Sequence, residues 1–105
     1  MEINGLIIDK VPIVMVLCRL EDKLIEDAKK NNEKVPQGED LRVKAISYAD
    51  TINGMAECIQ CSINCHNQDV TPEKIKKVFE LIEPEKFLET RDIVMGSKDI
   101  DTKKN

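Results

Sequence analysis

From Glu39 to Asn67 apolar residues return every three or four positions, and no proline interrupts them. Spaced at about 100° per residue, Leu41, Ala45, Tyr48, Ile52, Met55, Ala56, Ile59 and Ile63 share one face. The pattern predicts one continuous helix over 39–67, which at about 1.5 Å per residue is about 40 Å long. A helix of that length needs a partner of similar length. The only candidate is the segment carrying Ile13, Val16, Leu17, Leu20, Leu24 and Ala28, again at intervals of three and four. Pro12 suits the first turn of a helix, so this element is expected from Val11-Pro12 to about Asn31. The connection, Asn31 to Gly38, is punctuated by Asn, Pro and Gly. Two long helices joined this way are expected to lie antiparallel.

The remaining segments are short. Thr71 followed by Pro72 is an N-cap and first-turn pair, opening a third helix with Ile75, Val78, Phe79 and Ile82 inward. Pro84 ends it, and a further short helix carries Phe87 and Leu88 towards Met95, where Gly96 stops the pattern. Residues 2–10 form a lead-in in which Asn4-Gly5 can turn. No alternating stretch is long enough to stand as a strand. The expected fold is therefore all-α: an antiparallel hairpin of two long helices plus one or two short C-terminal helices. Residues 1–96 make a single domain, and the charged stretch 97–105 is expected to be a disordered tail.

With no Trp, one Tyr and two Phe, the core must be aliphatic. The formal net charge is -4, and Lys and Arg cluster no further than pairs such as Lys29-Lys30 and Lys76-Lys77. Direct nucleic-acid binding normally rests on a basic surface, so this balance argues against it and suits a basic protein partner better. The apolar run Val11 to Cys18 falls far short of the roughly 20 residues of a membrane span. The start of the chain lacks the positive region of a secretory signal. The chain is expected in the cytoplasm, where its four cysteines would stay thiols.

One constellation has ligand-type residues: Cys58, Cys61, Cys65 and His66. Thiolates and imidazole bind zinc, so a metal site is the chemical reading. The spacing opposes it, because His66 lies about 100° round the helix from Cys65 and one helix cannot close a tetrahedron. The plainer reading treats the thiols as small hydrophobes, and no cofactor is then required. A redox role for Cys58 and Cys61 would want a helix N-terminus, and this pair lies late in its helix.

On the predicted long helix, Val43, Ser47, Gly54, Cys58, Cys61 and Cys65 form a row of small residues that would let another backbone approach closely. Packing by the third helix of the same chain explains such a row; an interface with a second copy explains it too. The first half of helix one is apolar on every side, from Ile13 to Cys18, which favours an oligomer because three short helices can hardly cover both surfaces. Arg19, Lys23, Arg42 and Lys44 could serve a small anionic ligand such as a nucleotide, although nothing in the pattern orders them into a site. There is no glycine-rich phosphate loop, and Ile63 stands where a Glu-x-x-His motif would need its carboxylate. The expectation is a non-enzymatic helical protein that binds a protein partner and assembles as a homo-oligomer. It would be a regulator or inhibitor of the kind that phage and mobile elements encode. A ligand-binding bundle and a cysteine-based zinc or redox protein are the alternatives.

Overall fold

The computed structural model describes residues 1–96; the expected tail at 97–105 lies outside the described residues. The order of elements is β1 (Glu2–Ile3), β2 (Leu6–Ile7), α1 (Ile13–Lys30), α2 (Gly38–Tyr48), α3 (Ile52–His66), α4 (Pro72–Leu81) and α5 (Phe87–Met95), with a 3-10 turn at Pro84–Lys86. The helical class is as expected, and its arrangement differs from the hairpin in two respects.

First, the predicted 39–67 helix is broken. Thr51 leaves the helix in an extended conformation, and its side chain accepts from the Gly54 N–H at 3.0 Å, so it caps a new helix. The Thr51 hydroxyl also donates to the Tyr48 carbonyl at 2.7 Å, tying both sides of the corner together. The corner is so tight that a β-carbon on Gly54 would overlap the Tyr48 carbonyl oxygen. Glycine is required there for close approach, not for an unusual φ. Arg91 of α5 closes the far side, donating to the Ala49 carbonyl at 3.0 Å and to Asp50 at 2.8 Å. A cation at the end of α2 also complements the helix dipole.

Second, the antiparallel partner of α1 is α3, not α2. Contacts ascend one helix as they descend the other: Glu57 lies within electrostatic reach of Lys23 and pairs with Arg19, and Cys61, one turn further along α3, again faces Arg19. Along α2 they run the other way, Arg42 pairing with Glu21 and Tyr48 lying within electrostatic reach of Lys23 and Asp27. The chain therefore travels back along α1 before α2 begins. It leaves α1 through a Schellman turn, with Glu33 N–H on the Ala28 carbonyl, Asn32 N–H on that of Lys29, and Asn32 at φ 58°.

The other ends follow local chemistry. Thr71 caps α4 on the Lys74 N–H with Pro72 in the first turn, and Gly96 at φ 74° ends α5. Asn4 and Gly5, both at positive φ, make the tight turn of a two-stranded hairpin in which Glu2 faces Ile7 and Ile3 faces Leu6. The core is aliphatic, centred on Ile8, Val16, Leu20, Ile59, Ile63, Val78 and Val94, all fully buried. The Phe79 and Phe87 rings meet edge to face at its margin, 6.0 Å apart.

Candidate functional site

The row of small residues does not exist as a row, because the corner at Thr51 divides it. Val43 and Ser47 are exposed on α2. Gly54 is taken up by the corner itself. Cys58 and Cys61 are buried in the chain's own core on α3, the helix that packs most extensively on α5. Cys65 is exposed one turn further on. The helix that covers this face is α5, and α4 touches α3 much less.

The four candidate zinc ligands do not converge. Cys58 and Cys61 are inside, whereas Cys65 and His66 stand outside at the end of α3. The His66 ring lies 3.0 Å, through Nε2, from the Lys10 carbonyl. Among the described residues no three His, Cys, Asp or Glu side chains are grouped as a cation site needs. Burial pushes the Cys58 thiol up to about 11 from its ordinary 9.0, against the pull of nearby Arg91. Burial also raises Cys61, opposed by Arg19. Both are held as neutral thiols at neutral pH, the reverse of what nucleophilic or redox cysteines require.

The four basic candidates are each matched to a carboxylate. Arg19 pairs with Glu57 at 3.0 Å, Arg42 with Glu21, Lys23 with Glu26 and Asp27, and Lys44 with Asp40 at 3.5 Å. Asp27, then Glu57, holds the Lys23 ammonium above its ordinary range. Instead of converging on one anion, these cations are spread along α1 and α2 and neutralised locally.

What the structure leaves open is apolar. In the first turn of α1, Ile13 is 47%, Val14 55% and Met15 43% exposed, and only Val16 turns fully inward. The sequence shows a segment apolar on every side; the chain's own core takes one side of it. Val43 and Ile46, one turn apart, are similarly uncovered on α2. Consecutive aliphatic residues on a fixed helical turn form a surface that water contacts at a cost and that another apolar surface would relieve.

Three residues that the periodicity did not single out hold the N-terminal segment and the α2–α3 corner in place. The Asn67 side chain accepts from the Ile7 N–H at 2.9 Å and donates to the Ile7 carbonyl at 2.8 Å, as a neighbouring strand would. Ser62, fully buried, accepts from the Asp9 N–H at 2.8 Å and donates to the Asp9 carbonyl. Arg91 clamps the corner through Ala49 and Asp50. Ser62 carried a signal, since a hydroxyl between Cys61 and Ile63 on a buried turn must find a partner. Asn67 and Arg91 carried none beyond their polarity.

Comparison with known proteins finds no matching family model, no matching curated protein and no matching solved structure. Among the described residues no helix is long and apolar enough to cross a membrane.

Proposed function

We propose that this chain is a non-enzymatic interaction module of regulator or inhibitor type, working as a homo-oligomer and binding a protein partner. The observation that carries the reading is the uncovered first turn of α1, with Ile13, Val14 and Met15 all in water on a helix anchored by Val16 and Leu20. A module of this kind acts by covering a surface, which needs no nucleophile, metal or phosphate loop. The acidic net charge of -4 favours a basic partner over a nucleic acid. The reading places the chain in the cytoplasm, where four thiols stay reduced.

Native mass spectrometry of the untagged chain and of Val14→Glu tests the self-association. The expected result is a dimer or larger species for the wild type and a monomer for Val14→Glu, with unchanged circular dichroism. A wild-type chain that stays monomeric into the high micromolar range would refute it. A stoichiometric metal lost on chelation would refute it too, returning the cysteines to the centre of the function.

A further inference from the structure

The N-terminal arm, residues 1–11, forms its own short hairpin and is seated on the rest of the fold as a separate piece would be. Leu6, Ile8 and Val11 point inward and are buried, while the backbone between them is read by polar groups of α3 and its C-cap. Asn67 takes both polar groups of Ile7, Ser62 takes both of Asp9, and His66 meets the Lys10 carbonyl. The Val11 N–H then donates to the Val94 carbonyl of α5 at 3.0 Å. None of these bonds is made to α1, the helix to which the arm is covalently joined. The seat would accept the same arm from another copy with the same bonds.

We propose that two copies of the chain associate by exchanging this arm, each arm lying on α3 and α5 of the other copy. The proposal rests on the self-association proposed above and specifies its geometry. Two further features support it. The joint between arm and α1 is Val11-Pro12, and proline holds its own φ while pushing the preceding residue towards extended conformations. Pro12 stands outside the helix, at φ -55° and ψ 133° as N-cap residues do, so the joint lies between the arm and a helix that starts cleanly after it.

The second feature is the apolar turn next to the joint. Ile13, Val14 and Met15 come directly after Pro12, and they are the uncovered turn of α1. In an exchanged dimer the two joints pass one another, which brings the two first turns of α1 together and shields their side chains. The contacts made by the arm are identical in monomer and dimer, so the balance is set by this new contact against the entropy cost of association. The same patch that is unexplained in one chain thus has an occupant, its own copy.

The test mixes equal amounts of uniformly 13C,15N-labelled and unlabelled full-length chain, unfolds and refolds them together, and records isotope-filtered NOE spectra. Exchange predicts cross-peaks between the methyls of Leu6 or Ile8 in one copy and those of Ile59 or Ile63 in the other. A dimer that lacks them, with the arm contacts found only within a chain, would overturn the exchange and leave self-association standing. A monomer in the same sample would overturn both.

Discussion

Of the eleven residues of α2 only Ala45 is buried, whereas α3 buries six of fifteen: Gly54, Cys58, Ile59, Cys61, Ser62 and Ile63. Both come from one unbroken apolar periodicity. The difference lies in their neighbours. α3 is packed by α1, α5 and β2, while α2 leans mainly on α1, held there by Ala45, the half-buried Leu41 and Tyr48, and the Arg42–Glu21 pair. Periodicity reports that a helix has an apolar face; it does not report how many other elements will reach it. α3 organises the fold, and α2 is an attachment whose outer residues, Val43 and Ile46, remain in water.

The widest gap between the two is expected from truncating the same residue type in each. Ile63→Ala removes a fully buried side chain and should cost about 2–5 kcal/mol. Ile46→Ala removes one that is 54% exposed and should change stability by no more than about 0.5 kcal/mol in the monomer. Urea unfolding at low concentration measures both. Similar losses from the two would mean that α2 is integrated into the core, and the contrast would collapse.

The fold was legible wherever one short stretch decides the outcome. Thr71-Pro72 opens α4, Pro84 separates α4 from α5, Gly96 closes α5, and Asn4-Gly5 makes a turn, although the two short strands it joins are too brief to be read from the sequence. Each is a choice made by two or three adjacent residues. The corner at Thr51 is different, because a capping threonine inside a periodic run looks like any surface threonine. What holds the corner comes from about 40 residues away in the Arg91 clamp, and from Gly54, whose role depends on where the Tyr48 carbonyl ends up. The candidate site suffered the same loss: once the helix breaks, a row drawn along it separates, and Val43 and Ser47 part from the cysteines. The start of α1 reads in the sequence as apolar on every side, which implies burial all round; the chain itself buries one side and leaves Ile13, Val14 and Met15 exposed.

Gly54→Ala asks directly whether α2 and α3 are two helices or one. In a continuous helix alanine would stabilise by up to about 1 kcal/mol over glycine. In the corner its β-carbon collides with the Tyr48 carbonyl and comes within 3.0 Å of the Ala49 Cα, backbone that no rotamer change can move aside. The expected loss is about 1–3 kcal/mol, as for other overpacked sites. A gain would restore the single helix.

Alkaline pH probes the buried thiols that only α3 contributes. Burial raises Cys58 from its ordinary 9.0 to about 11, so between these values the unfolded chain has lost a proton that the folded chain keeps. The folded state binds more protons there, so stability falls as pH rises from about 9 to about 11 and is full below that window. Other groups titrate in the same range, and Tyr48 is itself raised by burial, so the informative quantity is a difference in slope. Cys58→Ala, less stable overall, should lose stability less steeply than the wild type across the window. Parallel curves would mean that Cys58 is reached by water, and α3 would be less enclosed than its packing indicates.

The finest distinction between the two helices is how they begin. Thr51 caps α3 with a side-chain bond to the Gly54 N–H at 3.0 Å, whereas Gln37 precedes α2 with no side-chain cap bond. Thr51→Ala should therefore cost about 1 kcal/mol, and Gln37→Ala close to nothing. Because the Thr51 hydroxyl also donates to the Tyr48 carbonyl, Thr51→Ser separates the two contributions of this residue. Serine keeps both hydrogen bonds and loses only the methyl group, so it should recover nearly all the stability that alanine loses. If serine behaves like alanine, the corner is held by packing around the methyl and by Arg91, and the hydroxyl is incidental to where the helix breaks.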